Sequence, residues 1–323
     1  MGQMVAGQWL AEVERTIGPD GQFIRPQSRF RNWITADGSP GSSGVGGFAA
    51  EPGRYHLYAS YACPWAHRAL IYRSILGLKE SISISVVHPV NPVQSWEFSE
   101  FPGATDDHVN GKKYLHEIYT AVDAGYSGKV TVPVLWDKKS GTIVNNESSE
   151  IIRMIGLNAE RLGGQKNRLY SDDLAKEIEE TNAIVYRVNN GVYRSGFAKS
   201  QTAYDAAVGD LFAALDHLEE QLDGRSYLVG EAITECDWRL FTTALRFDPV
   251  YFVHFKCSVR RYADYRNLDR HLRRLIDHPG VKETIRMDHI RYHYFRTHLR
   301  INPNGIIPAG PRMDWEDDRE IPS

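Results

Sequence analysis

The apolar residues of this chain keep two different periods in its two halves, and that change limits the fold more than any other feature. Between residues 54 and 160 short elements of both kinds alternate. Tyr55 to Ser60 reads as a strand, and Pro64 to Leu76 as a helix stopped by Gly77. Ile82, Ile84 and Val86 alternate with serines, the period of a strand with one buried face. Val132 to Trp136 and Thr142 to Val144 read as two further strands, and Glu150 to Leu157 as a helix. Residues 88–128 keep no sustained period and read as an insertion. After about residue 165 the apolar steps become three and four. Leu174, Ile178, Thr181, Val185 and Val188 form one such face, Tyr204 to Leu222 a second, and Leu268, Leu272, Leu275 and Ile276 a third. The pattern predicts an α/β domain over 54–160 and an all-α domain over 165–312. An irregular arm, 1–53, precedes them, and an acidic tail, 313–323, follows.

Composition narrows the function classes. A chain of 323 residues has room for two cores. With 38 basic and 41 acidic residues its net charge is −3, which argues against a protein built to coat nucleic acid or an anionic membrane. Three cysteines are too few, and odd in number, for a disulfide scaffold, and they fit a reducing compartment. No apolar run reaches the ~18–20 residues of a membrane span. Glu12 and Glu14, with no apolar block beside them, argue against a signal peptide. Gly2 is followed by Ala6 where a myristoylation signal wants Ser or Thr. A cytoplasmic protein is expected.

Several weaker signals are set aside. Gly44-Val45-Gly46-Gly47 lacks the full spacing of a dinucleotide-binding turn. Cys236, His254 and Cys257 lack paired metal-ligand spacing, so no metal is expected. Arg286, Arg291 and Arg296 step by ~140° around a helix, so they form no single stripe and read as a solvated or dimer-facing surface.

One segment carries chemistry. Cys63-Pro64-Trp65-Ala66-His67-Arg68 stands where a strand gives way to a helix. Proline suits the first helical position because the N–H it lacks would be unpaired there anyway. The Cys63 sulfur is then beside free N–H groups and the positive end of a helix dipole, which favour a thiolate. A dithiol site would need a second cysteine at position 66, which is Ala66. The other two cysteines lie in the helical half. A mixed disulfide on Cys63 must therefore be resolved by an external thiol, and glutathione is the abundant cytosolic one.

This segment, with Val132-Pro133-Val134 and Glu147-Ser148, resembles the glutathione transferases, with a thioredoxin-like first domain and an all-α second domain. Longer strings resemble one branch of them, the glutathionyl-hydroquinone reductases or Xi class. These are Arg25 to Trp33, Tyr61 to Arg68, Thr131 to Asp137 and Ile143 to Ile152, within a likeness that runs from about residue 23 to 300. The resemblance implies that Cys63 takes glutathione from an aromatic hydroquinone thioether, and that a second glutathione then leaves as glutathione disulfide. It implies a cis bond before Pro133, exposing the Val132 backbone to the cysteinyl part of glutathione. Glu147 would meet the γ-glutamyl ammonium, and Ser148 with its helix N-terminus the carboxylate. Trp96 would pack over glutathione. Lys129 would meet a carboxylate, standing where the family leads one to expect arginine. Tyr193, Tyr251 and Tyr294 would line the hydroquinone pocket and stabilise charge on the departing ring. Phe295 departs from a tyrosine expected beside Tyr294. A homodimer is implied.

Thr234-Glu235-Cys236-Asp237 has the spacing of a reciprocal helix cap, read here as folding information with Cys236 buried and inert. Two rivals remain open. One is a glutaredoxin-like thiol transferase or dehydroascorbate reductase, which would need Cys63, Pro133 and Glu147 but not the tyrosines. The other is a non-catalytic protein of the same fold. Conjugation of glutathione to electrophiles is disfavoured, because a cysteine here attacks sulfur itself.

Overall fold

The computed structural model describes residues 2–11, 13, 17–90 and 94–316. The chain divides into two compact units. The first takes Met1–Glu14, Pro26–Asn167 and Thr284–His293, and the second Arg15–Arg25, Arg168–Glu283 and Tyr294–Ser323.

The first unit is built on a mixed four-stranded sheet. A small hairpin, β1 (Gln3–Val5) with β2 (Gln8–Leu10), precedes β3 (Tyr55–Ala59), α1 (Pro64–Ile75), β4 (Ile82–Val86), α2 (Leu115–Val122), β5 (Val134–Asp137), β6 (Thr142–Asn145) and α3 (Ser148–Leu157). The sheet order is β4-β3-β5-β6, with β4 parallel to β3 and the other pairs antiparallel. Leu57 stands opposite both Ile84 and Leu135. All five residues of β3 are buried, so it shows none of the alternation of a strand with one wet face. At its start Arg54 forks onto Asp137, Nε to Oδ1 at 2.8 Å and Nη2 to Oδ2 at 2.6 Å.

Two expected segments gain detail here. The region read as an insertion without a sustained period contains α2, whose first turn is capped by the Glu117 carboxylate taking the Lys113 and Tyr114 amides. Two helical turns are too short a window for the period to register. The residues of the expected arm 1–53 are divided between the two units. Met4 exchanges amide bonds of 2.9 Å with Gly128. Further on, Asn32 N donates to Val144 O, and Asn146 N to Phe30 O. That segment covers the β6 edge, which would otherwise offer unpaired backbone groups.

The second unit is helical. It holds α4 (Ala175–Phe197), α5 (Gln201–Gln221), α6 (Glu235–Arg246), a π-helical turn at Phe247–Phe252 and α7 (Arg266–Ile276). The predicted apolar faces are buried at Ile178, Val185 and Val188 on α4 and at Leu268, Leu272, Leu275 and Ile276 on α7. The reciprocal cap is present, with Asp237 Oδ2 taking the Thr234 amide at 2.7 Å. The helix α8 (Met287–Thr297) is divided, its residues up to His293 belonging to the first unit. The sequence reading placed all of it in the helical domain, with its arginines on a surface. Arg291 is only 2% exposed, and Arg286 pairs with Asp288 at 2.5 Å. Asp314 of the expected tail accepts from Arg273 at 2.7 Å, and residues 317–323 lie outside the described residues. Among the described residues no helix is long and apolar enough to cross a membrane.

Candidate active site

Cys63 is the N-cap of α1, with φ −78° and ψ 121°, and Pro64 opens the helix. The extended backbone at the cap ends the turn after β3, and the Cys63 carbonyl already accepts the His67 amide at 2.9 Å. The sulfur is therefore held at the helix N-terminus by the backbone on both sides. It lies 3.6 Å from the Val132 carbonyl oxygen, and the Val132–Pro133 peptide is cis. Cys63 is 8% exposed. Cys236 and Cys257 belong to the second unit, and burial pushes both thiols far above the ordinary range. Cys236 is thus buried, as expected, and a thiol so hard to ionise is a poor nucleophile.

Glu147 and Ser148 open α3. Glu147 is its N-cap, and its Oε1 accepts from the Ser149 amide at 3.2 Å and hydroxyl at 3.1 Å. Its second oxygen accepts the Ser28 hydroxyl at 3.0 Å. The buried Ser148 hydroxyl accepts from Arg68 Nη1 at 3.3 Å, and Arg68 also lies 4.6 Å over the Trp65 ring. A guanidinium on one lone pair leaves the Ser148 proton to be donated elsewhere. A carboxylate, a hydroxyl, helix amides and a buried cation thus meet at one helix start.

Trp96 is buried, and its indole stacks on the His293 imidazole at 4.9 Å and 20°. Lys129 Nζ meets the Gly2 carbonyl at 3.2 Å.

In the second unit the three tyrosines meet. Tyr294 is the middle member, its hydroxyl 2.6 Å from that of Tyr193 and 2.9 Å from that of Tyr251. Burial holds the Tyr251 and Tyr294 phenols well above the ordinary tyrosine range, so both remain protonated donors. Phe255 stacks on Tyr251 at 5.5 Å and 14°, and its ring lies 5.7 Å from that of Tyr294. The π-helical turn carries Tyr251. Such a turn inserts an extra residue per turn and re-aims the side chains that follow. Phe295 is buried against His254 at 4.9 Å, and His254 meets His298 at 3.3 Å. Among the described residues no group of three or more His, Cys, Asp or Glu is arranged to hold a metal.

Sequence reasoning missed Ser28, Arg68 and His293. Each lies inside or beside a quoted motif, but only the fold shows what its side chain touches.

Comparison with known proteins gives the family. The glutathione S-transferase N-terminal domain model matches residues 62–157, and the C-terminal domain model residues 201–274. Glutathionyl-hydroquinone reductase YqjG of Escherichia coli strain K12 is 51% identical over 319 residues, covering 98% of this chain and 97% of that protein. Glutathionyl-hydroquinone reductase PcpF of Sphingobium chlorophenolicum is 46% identical over 312 residues, 96% of each. The glutathione-bound structure of YqjG superposes with a TM-score of 0.90 at 49% identity, over 98% of this chain and 97% of that one. The glutathione-S-transferase Xi of Phanerochaete chrysosporium gives 0.85 at 47% identity, over 92% and 95%. Both family models and near full-length relatives of this similarity make the chain a member of the glutathione transferases, within the glutathionyl-hydroquinone reductases of the Xi class.

Proposed function

We propose that this protein reduces glutathionyl-hydroquinones to free hydroquinones at the expense of glutathione. The carrying observation is Cys63 at the N-terminus of α1, 3.6 Å from the Val132 carbonyl, with Ala66 where a second cysteine would stand. The Cys63 thiolate attacks the glutathionyl sulfur. The carbon–sulfur bond breaks, its electron pair stays on the ring carbon, and that carbon takes a proton. A Cys63–glutathione disulfide forms. A second glutathione, as thiolate, attacks this disulfide, restores the Cys63 thiolate and leaves as glutathione disulfide. The ring is reduced by two electrons, and two glutathione sulfurs are joined.

Glutathione is held by Glu147 at its γ-glutamyl ammonium, by Ser148 and the α3 amides at its carboxylate, and by the Val132 backbone ahead of Pro133. Trp96 packs on it, and Lys129 supplies a further cation. Tyr193, Tyr251 and Tyr294 orient the hydroquinone and supply the proton. Buried phenols that stay protonated support that role. Three free cysteines support a reducing compartment, the cytoplasm, and the family supports a homodimer.

The test mixes the protein with a glutathionyl-hydroquinone and glutathione and follows both products by chromatography, with Cys63→Ser alongside. Equal release of hydroquinone and glutathione disulfide, lost in the variant, supports the proposal. Normal turnover by Cys63→Ser overturns it. No release, with Cys63 still glutathionylated by glutathione disulfide, moves the assignment to a disulfide or dehydroascorbate reductase.

A further inference from the structure

The Trp96 indole is held by more than its own burial. Ser95, directly before it, has φ +69°, a left-handed conformation that a serine adopts only where its surroundings impose it. The Trp96 carbonyl accepts the Leu115 amide at 2.9 Å, and Phe98 N donates to Lys113 O at 2.8 Å. The start of α2 thus pins the backbone on and after Trp96. The side chain is fixed from another element. His293 lies parallel to the indole, with the ring centroids 4.9 Å apart. Its Nδ1 is 2.7 Å from the Pro89 carbonyl oxygen. A carbonyl only accepts, so Nδ1 carries the proton, and the bond sets the rotation of the imidazole. One turn earlier on α8, His289 Nε2 meets the Pro102 carbonyl in the same way at 2.8 Å, and its ring lies 4.9 Å from that of Phe101. Two histidines on one helix thus grip the backbone that flanks Trp96 on either side.

We infer that His293 is a positioning residue for glutathione, fixing the plane of the Trp96 indole through a stack that the Pro89 carbonyl locks in place. This rests on the reading above that Trp96 packs on glutathione. A planar ring has two faces, and the imidazole takes one of them. A pre-oriented indole spares the ligand the cost of ordering it. His293 touches no reacting atom in this scheme, so its loss acts on binding and not on the chemical step.

The experiment compares wild type, His293→Ala, Trp96→Ala, the double variant and His293→Phe in steady state with a glutathionyl-hydroquinone, varying glutathione. His293→Ala is expected to raise the glutathione KM about three- to tenfold and to leave kcat within about twofold. His293→Phe, which keeps an aromatic face, is expected to recover most of that loss. In the Trp96→Ala background, removal of His293 is expected to add nothing, because the stack is already gone. A raised KM for Trp96→Ala with none for His293→Ala, or full additivity in the double variant, overturns the inference alone. An unchanged KM for Trp96→Ala overturns the reading of Trp96 beneath it. Should His293→Ala fail to fold, His293→Leu, of similar bulk and without an aromatic face, carries the same expectations.

Discussion

The hydroxyls of Tyr193 and Tyr294 stand 2.6 Å apart, and Tyr251 closes on Tyr294 from another element at 2.9 Å. Two hydrogen bonds among three phenols use two of their three protons. Tyr294→Phe removes both of these bonds, whereas Tyr193→Phe removes one. The expected fall in kcat on a glutathionyl-hydroquinone is about 10²-fold for Tyr294→Phe and about tenfold for Tyr193→Phe, measured by product release. Burial holds Tyr251 and Tyr294 protonated, so neither should contribute phenolate absorbance near 295 nm below about pH 10 in the folded enzyme.

Gly196 lies in the last turn of α4, and its missing side chain matters to the same cluster. A Cβ there would stand 2.2 Å from Phe255 Cγ and 2.3 Å from Cδ1. The displaced ring is the one stacked on Tyr251. Gly196→Ala should cost about 1–3 kcal/mol in chemical unfolding and lower kcat. Unchanged stability would show that Phe255 has room to shift.

Asp237 accepts from three residues at once, and from Thr234 twice, its hydroxyl standing 3.1 Å away. It takes the Thr234 amide at 2.7 Å, the Leu228 amide at 2.9 Å and His271 Nε2 at 2.8 Å, all buried. Asp237→Ala strands all three, and a loss of about 3–5 kcal/mol is expected from denaturant titration. Thr234→Ala removes only the hydroxyl half of the cap and should cost about 1 kcal/mol.

His56 makes the fold acid-sensitive. Burial is the main cause that lowers its imidazole from 6.5 to about 3, and the neutral ring bonds the Ser83 hydroxyl at 2.8 Å. Below about pH 6.5 the unfolded chain protonates this group and the folded one does not. Stability therefore falls as the pH falls, from about 6.5 toward 3. At pH 5 the loss from His56 alone is about 2 kcal/mol relative to pH 7. Urea unfolding at both values should show that drop in wild type and a correspondingly smaller one in His56→Gln.

What the sequence reveals depends on how local the signal is. Cys63-Pro64 is legible because the cap, the proline and the helix are neighbours in the chain. The Thr234–Asp237 cap is legible for the same reason, while its third partner, His271, is not. The tyrosines come from α4, the π-helical turn and α8. Their spacing says only that they are core residues, and resemblance supplied the rest. Arg291 was misread because an amphipathic wheel assumes one wet face, whereas Asp288, His289, Arg291 and His293 on α8 are all buried. The stack of Trp96 on His293 leaves no trace in any period.

The first unit is completed by Thr284–His293, which leaves the ribosome after every helix from α4 to α7. Translation can deliver the sheet and the Cys63 helix early, but His67 has to wait for the Thr284 hydroxyl, 2.8 Å away when folded, and Trp96 for His293. Chains normally mature from the front as they emerge. Here Cys63 is synthesised in the first fifth of the chain, yet the unit around it is finished only near the end. A polypeptide released before residue 284 would carry Cys63 without the segment that completes its unit.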